Sequence, residues 1–278
     1  MKKLSLLILF FAMTARAESI HFQPGLNLFQ EEAALTDLFG STGTQLCGPV
    51  SVTHAFNYLK YSHVPPFSSL LTFPDLDHDG VANTYQDQMR FFFQTCKTDL
   101  NSGTHYQELA ACMRDYMGQS GVGTWAYLIG PHANIAPPNS TLAETQGVIV
   151  PSNIRYYLNN HAAVIMGIGW YNYNSVSHTY TRVGGHIFNV YGFDYDPANG
   201  EKKISLDVVN SLTNYMGRAP AQMFDTVTMT LLPTAGEVIP AGIAYRLDGP
   251  GFQYTQVSLV EDLFVAFPVA PGALPSEL

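Results

Sequence analysis

Cys47 stands in "TQLCGPVSVTHAFNYL", residues 44–59, at a point where a thiol can become a nucleophile. Val52, Ala55, Phe56 and Leu59 recur at the i, i+3, i+4, i+7 spacing and predict a helix over 47–60. Cys47 then lies at the helix N-terminus, where N–H groups without helical partners and the positive end of the dipole favour the thiolate. Gly48 leaves room for a substrate backbone to approach. Pro49 suits a first helical turn, where its missing N–H costs nothing. A cysteine at a helix start is more often an inert apolar residue, so the chemistry depends on a base within hydrogen-bond reach.

Of the nine histidines, His186 opens a strand-like run, "GGHIFNVYGFDYD" (184–196). Counting by two puts His186, Phe188 and Val190 on one face. A third group must orient the imidazole, and "KKISLDVVNS" (202–211) offers Asp207 and Asn210. The same counting groups Asn210 with Ile204, Leu206 and Val208 and turns Asp207 to the opposite face, so Asn210 is favoured and Asp207 is the alternative. His54 lies two helical turns from Cys47, too far to be its base. His21, His63, His105, His132, His161 and His178 lack zinc-ligand spacing, and no catalytic metal is expected.

Taken together, "CGPVSVTHAFNYL", "NNHAAVIMGIGWY", "GGHIFNVYGFDYD" and "VVNS" resemble the papain-like cysteine peptidases. The closest likeness is to bacterial domains similar to the bacteriocin-processing peptidases, and it covers about residues 36–212. His186 follows Cys47 by 139 residues, inside the window of about 130–150 for the base of a papain-type enzyme. The resemblance implies an α+β, papain-like fold, with a helical N-terminal half that carries the nucleophile helix and an antiparallel β C-terminal half. It also implies Cys47 as nucleophile, His186 as base, Asn210 as orienter, and hydrolysis of a peptide or protein substrate without a cofactor. Two departures stand out. The oxyanion-hole glutamine of the family sits six residues before the cysteine, which here is Ser41, whereas Gln45 is two residues before it. Either Gln45 serves or the Cys47 N–H works with another donor; one such donor is worth about 10²–10³ in rate. "NSL" stands where papain relatives carry Asn-Ser-Trp.

The elements that must hold these residues are legible in outline. Two helix-like segments, "NTYQDQMRFFFQTC" and "YQELAACMRDYM", form a hairpin over about 83–118. A short helix (152–160) runs into a buried strand (163–171). "DTVTMTLLP", "GIAYRLDG" and "FQYTQVSLVEDLFVAF" add strands, read as a β-rich C-terminal extension over 213–270 of a single domain spanning 18–278. Helices first and strands after argue α+β rather than alternating βαβ units. The Phe91–Phe93 run reads as hydrophobic core.

"MKKLSLLILFFAMTARA" combines a basic start, an apolar run too short to span a bilayer and a small-residue cleavage site, and reads as a secretory signal over 1–17. The expected destination is the periplasm or the exterior. Loss of Lys2, Lys3 and Arg16 with that segment takes the formal net charge from −9 to −12. With no Lys/Arg-rich run, nucleic acid is not an expected partner, and no further membrane span is expected. In an oxidising compartment Cys96 and Cys112 can staple the hairpin, leaving Cys47 as the odd thiol; free or differently paired cysteines are the alternative. "DLDHDGVANTYQD" places Asp75, Asp77, Asp79 and Gly80 at positions 1, 3, 5 and 6 of a calcium loop. Gln86 stands where the bidentate Glu belongs, so a structural Ca²⁺ competes with a solvated acidic loop that caps the next helix. The rivals to a hydrolase are a calcium-stabilised binding module on the same fold, with Cys47 inert, and a structural surface protein with no pocket at Cys47.

Overall fold

The segment Ala163–Trp170 carries no polar side chain that ionises or hydrogen-bonds before Trp170, and this apolar run organises the sheet. Val164, Met166 and Ile168 join one buried cluster and Ala163 and Ile165 another, so both faces of the strand are covered. The computed structural model describes residues 17–21, 45–62, 72–119, 124–132, 143–145, 147–211, 224–233, 235–250, 252 and 256–268. The signal segment up to residue 16, Ser41 and the tail from 271 lie outside them.

The strands are β1 (Glu18–His21), β2 (Thr124–Ile129), β3 (Ala143–Thr145), β4 (Ala163–Asn174), β5 (Thr179–Tyr195), β6 (Lys203–Val209), β7 (Phe224–Leu231), β8 (Tyr245–Asp248) and β9 (Val257–Pro268). The helices are α1 (Cys47–Ser62), α2 (Tyr85–Thr95), α3 (Tyr106–Gln119) and α4 (Pro151–Asn159). The architecture is α+β. β4 pairs antiparallel with β5 on one edge and with β9 on the other. β5, β6, β7, β8 and β9 then pair in succession, so among the described residues these six strands close into a barrel. One cluster draws Met166, Phe188, Leu206, Met229, Leu247 and Val260 from all six strands and fills the interior. β1 adds to β5, and β2 with β3 adds beyond β9.

On the outside, α1, α2 and α3 bury Phe56, Phe92 and Tyr116 against Ile165, Ile187, Tyr191 and Phe264. α1 begins where expected, with Val50 N–H donating to Leu46 O at 3.0 Å. α2 starts on a capping box in which Thr84 and Asp87 exchange hydrogen bonds. The expected strands after residue 213 are present, but they are not an extension of a core ending near 212. β7, β8 and β9 make up half of the barrel, and β9 is a partner of β4 over most of its length. β5 and β6 are joined by a 3₁₀ segment, Pro197–Lys202, and β1, β2 and β3 add to the strands expected from sequence.

Cys96, the C-cap of α2, and Cys112, inside α3, form the disulfide, with Cα atoms 4.8 Å apart and 16 residues of separation. A loop of that length restricts the unfolded chain by about 3 kcal/mol. The double substitution Cys96→Ala/Cys112→Ala should therefore lower the unfolding free energy by roughly that amount, read from the urea midpoint at pH 7.

Candidate active site

Cys47 opens α1, and α1 is clasped to the strand of His186. Ser51, one turn beyond Cys47, donates its hydroxyl to Ile187 O at 3.2 Å, while Asn189 Nδ2 donates to Ser51 O at 2.9 Å. Both side chains are buried. Thr53 Oγ1 donates to Pro49 O at 2.8 Å and Asn57 Nδ2 to Thr53 O at 2.8 Å and to Gln88 Oε1 at 3.2 Å, which ties α1 also to α2. Gly48 has a different role from the one its position suggests. A Cβ there would lie 2.4 Å from Thr104 Oγ1, so the close approach is by the chain's own 99–104 loop and not by a substrate.

His186 lies at the barrel mouth, 3 % exposed, and its Nε2 meets Asn210 Oδ1 at 2.9 Å. An amide oxygen can only accept, so Nε2 carries the proton and Nδ1 is left as the basic nitrogen. Trp170 lies nearly parallel to the imidazole (11°, centroids 6.1 Å), and Phe188 stacks on it at 26°. Gly184 makes room for that indole, since a Cβ would sit 3.0 Å from Trp170 Cε3. Burial holds the His186 pKa down at about 4, against the opposing hydrogen bond to Asn210. The imidazole is therefore neutral at pH 7. Asn210, the residue that the period-two count turns toward His186, is the one that meets the ring. Asp207 faces outward instead, where it pairs with His21 and accepts from Thr226 Oγ1 at 2.9 Å.

Cys47 and His186 line one pocket of about 830 Å³, together with Gln45, Trp170 and the 101–107 segment. Gln45 lies beside Gly103, on the Cys47 side of the pocket, where a second oxyanion donor would be needed. The far wall was not anticipated. Arg182 lies on Glu261 through two bonds, Nε to Oε1 at 2.7 Å and Nη2 to Oε2 at 3.0 Å. Tyr171 and Tyr106 donate their hydroxyls to the same carboxylate at 2.6 and 2.7 Å. Burial pushes Glu261 up, but the bonds from Arg182, Tyr171 and Tyr106 outweigh it and hold the carboxyl below its usual range. Next to it, Asp262 accepts from His132 Nδ1 at 2.6 Å. That bond, against the effect of burial, raises the His132 pKa, whereas burial, against the bond, raises that of Asp262. The signal in the sequence was the pair Glu261-Asp262 inside "VSLVEDLFVAF", because two acids within a buried strand require partners.

Two sets of side chains have the ligand types of a metal site. Asp75, Asp77 and Asp87 bring carboxylate oxygens within 4.8 Å of one another, as do His132, Glu261 and Asp262 their ligand atoms. In the first set the third acid is Asp87 and not Asp79. Asp87 already accepts from the N–H of Leu76 and, as the N3 member of the α2 capping box, from the N–H of Thr84, and Asp75 and Asp79 accept from Gly80 and Val81. These residues fit a calcium ion only in part, since Ca²⁺ takes 6–8 oxygens. In the second set a cation would have to share Glu261 with the Arg182 guanidinium. No protein-family model matches this chain, and no curated protein matches it.

The neutral, buried His186 has a thermodynamic signature. Between pH 6.5 and 4 the unfolded chain takes up a proton at this residue that the folded protein resists, so stability is lost as pH falls through that window. The loss is about 3 kcal/mol for a pKa of about 4. His186→Gln should remove that component, giving a shallower decline than the wild type between pH 7 and 4 in urea titrations. Parallel declines in the two proteins would contradict the buried neutral imidazole.

Proposed function

We propose that the protein is an exported cysteine hydrolase of papain-like fold that cleaves amide bonds in a peptide or protein substrate. The observation that carries this reading is the buried His186–Asn210 hydrogen bond, at 2.9 Å, on the wall of a pocket that Cys47 also lines. An imidazole fixed by an amide oxygen on one nitrogen has the other in a defined orientation, which is what a general base needs. The Cys96–Cys112 disulfide supports an oxidising compartment.

The chemistry follows from the protonation states. His186 Nδ1 takes the thiol proton as the Cys47 sulfur attacks the carbonyl carbon. The carbonyl oxygen becomes an oxyanion, with the first-turn N–H groups of α1 and the Gln45 amide as the donors on that side. The imidazolium then gives its proton to the leaving nitrogen as the C–N bond breaks, leaving a thioester on Cys47. Water, deprotonated by Nδ1, attacks the thioester, and the acid departs as the thiol regains its proton. Because burial disfavours the imidazolium, the proton moves in concert with bond formation instead of residing on His186 beforehand. Asn210 Oδ1 faces the charged ring and stabilises it in passing.

Thiol reactivity tests this directly. An ordinary thiol, with pKa about 8.5, is roughly 1 % thiolate at pH 6.5. At that pH iodoacetamide should label Cys47 in the folded protein at least about tenfold faster than the same cysteine in urea. His186→Ala should abolish the excess, as read by mass spectrometry. Equal rates in the folded and unfolded proteins would favour the inert binding module.

A further inference from the structure

Arg182 brings a guanidinium to the far wall of the pocket, and His132, held on Asp262 through Nδ1, offers a second N–H at Nε2 when its ring is protonated, a form that the bond to Asp262 favours. Glu261 and Asp262 are both 0 % exposed. Each Glu261 oxygen takes one tyrosine hydroxyl and one Arg182 N–H, and both Asp262 oxygens take N–H groups of His132. A cationic ligand therefore cannot reach these carboxylates. Two of the five N–H groups of a guanidinium are spent on Glu261, and the Arg182 side chain is still 44 % exposed. His132 has Nδ1 committed to Asp262 and its side chain is 34 % exposed. Although the chain has a formal net charge of −9, no Asp or Glu is among the described residues that line this pocket, while Arg182, His105 and His132 are.

Local geometry is committed to this arrangement. Val183 and Glu261 are the extra residues of two β-bulges, one in β5 and one in β9, both opposite β4. Bulges beside a site re-aim side chains. A Cβ on Gly185 would come within 2.6 Å of Arg182 Nη2, and one on Gly169 within 2.2 Å of Glu261 Oε1. Two glycines and two bulges thus hold one guanidinium against one buried carboxylate.

We propose that Arg182 and His132 form a carboxylate-binding subsite of this pocket, so that the substrate presents an acidic side chain or a free C-terminus close to the bond that is cut. The subsite rests on the hydrolase reading above. The guanidinium fork on Glu261 keeps the remaining Arg182 N–H groups in a fixed plane, which suits a carboxylate better than a mobile ammonium would. Tyr106 and Tyr171 keep Glu261 in place through their hydroxyls and so act as positioning residues for Arg182.

Paired maleimides test the subsite without knowledge of the substrate. Maleimidohexanoate and maleimidohexanamide differ only in a terminal carboxylate, and glutathione gives their intrinsic rate ratio. At Cys47 of the wild type the acid should gain about tenfold over the amide relative to glutathione, the size of one charge-assisted hydrogen bond. Arg182→Gln alone leaves Glu261 buried without its cation, so the double variant Arg182→Gln/Glu261→Gln, which keeps amide hydrogen bonds to both tyrosines, guards against misfolding. The gain should disappear in the double variant and persist in Arg246→Gln, a charge removed from β8. Peptides that protect Cys47 then identify the source of the carboxylate: an internal Glu with an amidated end, or a neutral peptide with a free end. A glutathione-like ratio at a fast-labelling wild-type Cys47 overturns the subsite and leaves the hydrolase reading standing. Failure of every reagent, iodoacetamide included, to label folded Cys47 overturns both.

Discussion

Ser51 and Asn189 hold the helix of Cys47 to the strand of His186, and every geometric statement about the site depends on that clasp. The two hydrogen bonds run in opposite directions between neighbouring backbones, Ser51 Oγ to Ile187 O and Asn189 Nδ2 to Ser51 O. Loss of either side chain would leave a buried group without its partner, at a cost of about 1–3 kcal/mol. Apolar packing alone would let α1 slide on the sheet, because dispersion and burial have no direction. Two polar contacts, one and three residues from His186 and both one turn from Cys47, fix the register of helix on strand.

The barrel gives that clasp a rigid base. β4 is bonded on both edges, and its two faces carry different work. Val164, Met166 and Ile168 fill the interior, while Gly167 and Gly169 leave the outer face open to Tyr106 and Glu261. The strand therefore supports the core on one side and the donor wall of the pocket on the other. Trp170, further along the same strand, lies over the imidazole that the next strand brings alongside. A neutral His186 on the pocket wall and an ionised Glu261 buried behind it differ in charge because their surroundings differ: aromatic rings around the first, a guanidinium and two phenols around the second.

Much of the candidate site was legible because it depends on local periodicity. The stripe through Val52, Phe56 and Leu59 locates α1, and strand alternation selects Asn210 over Asp207, since β6 has one face inside the barrel. The disulfide followed from a hairpin of two recognisable helices. What escaped the sequence depends on distant pairing. That β9 closes the ring against β4, some ninety residues earlier, has no local signature, so the C-terminal strands read as an appendage. Arg182 and His132 gained significance only when β9 placed Glu261 and Asp262 beneath them. Gly48 has the opposite lesson: the residue type was right for a close approach, but the partner is Thr104 of the protein itself.

The central claim is that Cys47 carries the acyl group of the substrate and that His186 moves the proton. Acid quenching of the folded protein mixed with an activated peptide ester, followed by peptide mapping in the mass spectrometer, tests it most directly. The account predicts an acyl adduct on Cys47 within the first turnover, and a far slower approach to it in His186→Gln. An adduct on another residue, or none while the ester is consumed, would contradict it.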